Sequence, residues 1–161
     1  MPLAFSPCVL LPCYNHGAMM PRVLARLQPF GLPCIVVDDG SDSSTRQQLE
    51  RLAAETANLT LIRLPQNAGK GAAVIRGLQA AAQAGFSHAV QVDADGQHAI
   101  EDIPQLLALA QAHPAAPISG QPIYDDSIPR SRLHGRWTTH VWGWIATLSL
   151  ELQDCMCGFR V

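Results

Sequence analysis

Cys34-Ile35-Val36-Val37-Asp38-Asp39-Gly40-Ser41-Asp42 is the stretch on which the fold turns. Its first four residues are apolar and three of them are β-branched, the composition of a strand buried on both faces. It stops at two carboxylates and a glycine, which are turn residues. A helical apolar pattern follows over about 43–57, with Ser43 and Ser44 as N-cap candidates. A short strand buried on both sides and followed by a helix is one half of a βαβ unit, so a parallel sheet is expected.

Working outward, the same alternation fills the chain. Cys8-Val9-Leu10-Leu11-Pro12 precedes it as another buried strand, separated by a helical pattern over about 18–29. Leu59 to Leu64 alternates more, as a strand nearer an edge does. A helical segment over about 69–84 ends at Gly85, and Ala89-Val90-Gln91-Val92-Asp93 is a fourth strand. A helix over about 101–113, with Pro104 tolerable in its first turn, leads to a weaker fifth strand at Ala116 to Gly120. The expected architecture is α/β: a mainly parallel sheet with helices on both faces. No repeat or linker divides residues 1–161, so one domain is expected.

Composition agrees. A chain of 161 residues with 48% apolar and 15% charged side chains builds an ordinary core, which argues against disorder and coiled coil. A net charge of −2 and a pI near 6.3 disfavour general nucleic-acid binding. Cys8, Cys13 and Cys34 lie in or beside apolar runs. Cys155 and Cys157 form a lone Cys-x-Cys without a matching Cys/His pair, so neither a disulfide framework nor a structural zinc site is expected. No basic stretch precedes the short N-terminal apolar run, and Val141 to Leu150 is too short to span a membrane. A cytoplasmic protein with reduced thiols follows as the expectation.

In an open parallel sheet, ligands bind outside the carboxyl ends of the strands. Pro12-Cys13-Tyr14-Asn15, Asp38-Asp39-Gly40-Ser41-Asp42 and Asp93-Ala94-Asp95-Gly96-Gln97-His98 stand at those ends. Four or five carboxylates on one rim repel one another. A divalent cation, Mg²⁺ or Mn²⁺, is the simplest remedy. Asp93 and Asp95, with one residue between them, can face one ion; their bland reading is an acidic turn. An EF-hand does not fit, because the twelfth loop position is Pro104. A phosphatase-type Asp-x-Asp belongs after the first strand, not the fourth. The Asp38–Asp39 pair can accept hydrogen bonds from a base or ribose, or simply shape a turn. Asn67-Ala68-Gly69-Lys70-Gly71 opens a helix, where amides, dipole and Lys70 favour an anion; a glycine-rich loop with a solvated lysine is the alternative. Neither a P-loop nor a dinucleotide glycine fingerprint is present.

These motifs, with Cys157-Gly158-Phe159-Arg160 after them, occur in the order seen in family 2 glycosyltransferases. The chain resembles most the branch containing the dolichyl-phosphate mannose synthases, over nearly its whole length. The resemblance implies a GT-A, Rossmann-like fold, a nucleotide-diphosphate sugar donor, a divalent metal and inversion at the anomeric carbon. It puts Pro12, Tyr14, Asp38, Asp39, Lys70 and Asp93 in the donor pocket. Asp39 would contact the nucleoside with Asp38 in support, and Asp93 would lie near ribose and metal. Asp95 would be the principal metal ligand and Gln97 an additional one. Asp154, shortly before Cys157, becomes a base candidate or an orienting residue, against a bland reading as a loop carboxylate.

His16 stands where the family usually has Glu, so no role is carried over to it. Family members continue for several tens of residues beyond the position of Arg160, so a C-terminal part of the family domain is expected to be missing. Arg130, Arg132 and Arg136 form a basic stretch suited to an acceptor phosphate, or a solvated loop. Trp137, Val141, Trp144, Ile145 and Leu148 fall at helical spacing, as core packing or as an interfacial helix. The acceptor would then be a lipid, a lipid phosphate or another molecule, with contact peripheral to the membrane. A degenerate module that binds nucleotide without transferring sugar is the alternative function.

Overall fold

The computed structural model describes residues 4–96, 98–120 and 159–161. Four parallel strands, β1 (Pro7–Cys13), β2 (Cys34–Asp38), β3 (Leu59–Arg63) and β4 (His88–Gln91), form a sheet in the order β3-β2-β1-β4. Between them run α1 (Met20–Leu27), α2 (Ser43–Glu55) and α3 (Lys70–Gln83), and α4 (Ile103–Ala112) follows β4.

Handedness explains which face each helix covers. The chain steps from β1 to β2 to β3 in one direction, then returns across the sheet to place β4 on the far side of β1. Right-handed crossovers therefore put α1 and α2 on one face and α3 on the other. Strand parity supplies both cores. Val9, Leu11 and Val36 pack with Met20, Val23 and Leu27 of α1, Leu49 of α2 and Leu106 of α4. Cys8, Leu10, Ile35 and Val37 face the opposite way, onto Ala73 and Ala81 of α3. The α/β architecture with helices on both faces is thus as expected.

The reversal of strand order opens a crevice between β1 and β4. Pairing between them runs only from Pro7–His88 to Leu10–Gln91. Val9 N donates to Pro33 O, and Cys13 O accepts from Asp39 N, both on the β2 side; Leu10 O accepts from Val92 N on the β4 side. By alternation the Pro12 nitrogen faces β4's side, where pairing has ended, so proline costs the central strand no ladder bond.

Several local expectations shift. Asp42, not Ser43 or Ser44, caps α2, its side chain accepting from Thr45 N at 2.7 Å. Asp lies one residue ahead of the serines in extended geometry, which leaves them in the first turn. Strand β4 ends at Gln91, so Val92 and Asp93 belong to the following loop. Gly85 stops α3 as expected, with φ of 84°, Gly85 N donating to Ala82 O and Phe86 N to Ala81 O. The expected fifth strand is only a bridge at Ser119. Residues 159–161 run antiparallel between β4 and this bridge: Gln91 N donates to Arg160 O at 2.7 Å, and Ile118 and Val161 exchange backbone bonds. Pro117 immediately before removes a donor and limits the pairing.

Cys8, Cys13 and Cys34 are free thiols in the core. Burial pushes each up to about 11, from an ordinary value of 9.0. A thiol raised on folding favours the native state below the unfolded pKa. That contribution is lost as pH rises from about 9 through about 11. The native protein should therefore leave these three cysteines unlabelled by iodoacetamide at pH 8, with labelling appearing in denaturant or above pH 10. Peptide mass spectrometry reads this directly, and full labelling of Cys8 in the native state at pH 8 would contradict it.

Candidate functional site

The crevice carries the chemistry. Pro12, Tyr14, Asp39, Lys70, Asp93 and Asp95 line one cleft of about 300 Å³ at the carboxyl end of β1. That is the lower end of the range of small-molecule sites, roughly 300 to 1,000 Å³. His16, Asn67 and Gly69 complete its wall.

The two carboxylates after β2 part by strand parity. Asp38 shares the parity of Val36 and lies fully buried. Its Oδ1 accepts from Ser41 N, and its Oδ2 accepts from Arg63 Nε at 3.0 Å and from Arg63 Nη2. Arg63 is its register partner on β3, and its Nη1 also reaches Glu50 Oε1 at 3.3 Å. Asp38 does not line the cleft; it braces the turn from beneath. Asp39 shares the parity of Val37 and points to the α3 side. Its Oδ1 accepts from Ala68 N at 2.8 Å and its Oδ2 from Gly69 N at 2.9 Å. A carboxylate has about four acceptor positions, so two remain for a ligand.

The other loops are tied to this turn. Asn15, with φ of 56°, donates its backbone N–H to Ser41 Oγ at 3.0 Å, and its Oδ1 accepts from Asp42 N at 2.9 Å. His16 Nδ1 donates to Tyr14 O at 2.7 Å. A carbonyl only accepts, so this bond fixes the proton on Nδ1.

Asp93 stands at the opposite wall. Lys70 Nζ, at the first position of α3, donates to Asp93 Oδ2 at 2.7 Å. His98 Nε2 lies 3.2 Å from the same oxygen without the alignment of a hydrogen bond, and its ring stacks on Phe159 with centroids 5.3 Å apart. Burial alone would raise the Asp93 pKa; His98 and Lys70 together outweigh it and hold the carboxyl at about 2. The carboxylate is thus ionised throughout the physiological range.

A divalent cation fits these residues. Asp93 Oδ1 is buried with no hydrogen-bond partner among the described residues, and exposed Asp95 lies two residues on in the same cleft. Carboxylate oxygens are the hard donors that Mg²⁺ and Mn²⁺ take. No cluster of three or more His, Cys, Asp or Glu side chains occurs among the described residues. Two carboxylates suffice for an ion that completes its shell with waters and donor phosphate oxygens.

Gln97, Arg130, Arg132 and Asp154 lie outside the described residues, as does the 137–148 segment. Sequence reasoning missed Arg63, His98 and the cleft position of His16. The first had a signal: a buried strand-end aspartate needs a cation, and Arg63 ends the neighbouring strand.

An open α/β sheet with a cleft at its switch point is the doubly wound class of protein, which binds its ligands in that crevice. The chain belongs to glycosyl transferase family 2, whose sequence model matches residues 8–160. It is 29% identical over 157 residues to the undecaprenyl-phosphate mannosyltransferase of Micrococcus luteus, covering 94% of this chain and 63% of that protein. It is 33% identical over 132 residues to the UDP-N-acetylglucosamine–dolichyl-phosphate N-acetylglucosaminyltransferase of Methanococcus voltae, covering 74% of this chain and 47% of that one. A mannosyltransferase from Pyrobaculum calidifontis, solved in complex with GDP-Man and Mn²⁺, shares the fold with a TM-score of 0.50 at 24% identity, over 74% of this chain and 36% of that chain. The chain thus spans about half to two thirds of the length of the two curated relatives. No helix among the described residues is long and apolar enough to cross a membrane.

Proposed function

We propose that this chain carries the donor site of an inverting glycosyltransferase that moves a sugar from a nucleoside-diphosphate donor to a polyprenol-type lipid phosphate. The observation that carries the reading is the convergence of Asp39, Lys70, Asp93 and Asp95 on one cleft at the switch point. The names of the two curated relatives, both acting on lipid phosphates, support the acceptor class.

Asp39 holds the nucleoside through its remaining acceptor positions. Sugar transfer breaks the bond from the anomeric carbon to the donor phosphate, and negative charge grows on the departing diphosphate. Lys70 moves from Asp93 onto that diphosphate, and the amides of the first turn of α3, which have no intrahelical acceptor, face the same charge. A divalent cation held by Asp95, with Asp93 and Gln97 beside it, would supply further neutralisation there. An ionised acceptor phosphate attacks from the opposite face and inverts the centre without a base; a hydroxyl acceptor would call on Asp154. Arg130 and Arg132 are proposed to meet the acceptor phosphate, and the 137–148 segment to touch the membrane surface.

The test is to incubate the full chain with sugar nucleotides, Mn²⁺ and a polyprenyl phosphate in detergent. The expected result is a lipid-extractable glycosyl phosphate of inverted anomeric configuration. Nucleotide binding with no release of nucleoside diphosphate from any donor would favour the degenerate module instead.

The division of labour in the cleft predicts separable losses. Asp39→Asn should weaken binding of a nucleoside about tenfold, the worth of a hydrogen bond to a charged group. Lys70→Ala should weaken the nucleoside diphosphate by a similar factor and leave the nucleoside nearly unchanged. Calorimetry with both ligands checks this. Equal losses in both variants would refute it.

A further inference from the structure

Gly96, His98 and Glu101 meet one side chain from a helix some seventy residues earlier. Arg26, in the last turn of α1, donates from Nη1 to Gly96 O at 3.1 Å and from Nη2 to His98 O at 3.3 Å. The same Nη2 reaches both oxygens of Glu101, at 2.9 and 3.0 Å. We propose that Arg26 is a positioning residue that sets the Asp93–His98 loop, and with it the carboxylates of Asp93 and Asp95, against the donor cleft. The inference rests on the metal-and-donor reading of that loop and extends it to a residue outside the cleft.

The loop needs such a support. Strand β4 ends at Gln91, so the acidic residues stand beyond the ladder. Gly96 has φ of 73°, and a Cβ placed there would lie 3.6 Å from Val23 Cγ2 and 3.8 Å from Met19 Cε. Met19, Val23 and Arg26 follow the i, i+4, i+7 spacing of one helix face, so the turn rests on a seat of two apolar side chains and one guanidinium. A planar fork can hold two carbonyls and a carboxylate together, whereas an ammonium is a point charge. Glu101 fixes the guanidinium from the start of the segment leading into α4.

The energetics separate positioning from mere stability. The Arg26–Glu101 pair is largely exposed on the Glu101 side, at 71%, and such pairs contribute little to folding. Partners that orient metal ligands, by contrast, typically change metal affinity by about 10- to 100-fold when removed, and Arg26 orients the loop that carries them through its backbone carbonyls. Arg26→Ala should therefore leave the denaturant midpoint nearly unchanged while loosening the loop.

The experiment compares wild type, Arg26→Ala and Arg26→Lys in the full chain. Hydrogen exchange is followed in peptides covering residues 93–99, with β1 peptides as reference, and Mn²⁺ is titrated in the presence of GDP or UDP. Arg26→Ala should speed exchange in the loop about tenfold but not in β1, and weaken Mn²⁺ by about 10- to 100-fold. Arg26→Lys should fall between, and nucleoside binding without metal should not change. Unchanged loop exchange in Arg26→Ala overturns the proposal, as does an unchanged Mn²⁺ affinity where wild type binds the ion. If wild type binds no Mn²⁺ with either nucleotide, the metal reading fails by itself, and loop exchange alone then decides for or against Arg26.

Discussion

Asp95→Ala should abolish nucleotide-dependent Mn²⁺ binding and lower sugar transfer on the order of a thousandfold, the scale on which removing charge stabilisation from a departing group acts. Asp95 lines the cleft two residues beyond Asp93, whose Oδ2 is already engaged by Lys70. Asp95 is exposed, so its loss should change stability by no more than about 1 kcal/mol, the scale of exposed polar and charged contacts. The signature is therefore specific: the melting temperature and nucleoside affinity hold while Mn²⁺ affinity and turnover collapse. Asp93→Ala should differ, because it also releases Lys70 and strips His98 of its acidic neighbour. Nucleotide-dependent Mn²⁺ binding that survives Asp95→Ala intact would remove the acidic loop from the metal assignment.

Much of this candidate site is legible in the sequence, and the reason is topological. Short β-branched runs such as Cys34–Val37, bounded by turn residues and alternating with helical patterns, read as central strands, and the turns after parallel strands then share one rim. Even the division between Asp38 and Asp39 was in principle readable. The strand's two-residue period sends Asp38 with Val36 towards α2 and Asp39 with Val37 towards α3. What no local pattern disclosed was how the loops bind one another. Asp39 receives amides from thirty residues away, and Arg26 reaches carbonyls some seventy residues away. The fifth strand failed for a similar reason. Ile118 finds its partner in Val161, and a five-residue segment carries no signal of so distant a pairing.

Gly40 shows what those long-range ties demand of the backbone. Its φ is 69°, and a Cβ there would lie 2.4 Å from the carbonyl carbon of Gln66 and 2.5 Å from the amide nitrogen of Asn67. Both are backbone atoms, so no rotamer change relieves the contact. Left-handed geometry costs a non-glycine residue about 1–2 kcal/mol, and overpacking adds about 1–3 kcal/mol. Gly40→Ala should thus destabilise the fold by about 2–5 kcal/mol. Gly31 is the internal control: its φ is 63°, and a Cβ there meets nothing within 4 Å among the described residues. Gly31→Ala should cost only the conformational part, about 1–2 kcal/mol. Urea unfolding of the two variants isolates the steric contribution as their difference. The functional consequence is the more telling one. The 66–67 backbone leads directly into the Ala68 and Gly69 amides that hold Asp39. Pushing it away should therefore cost nucleoside affinity even at low temperature, where Gly40→Ala remains folded. A Gly40→Ala protein no less stable than Gly31→Ala, with nucleoside binding intact, would mean that the close approach of the two loops is not what shapes the donor cleft.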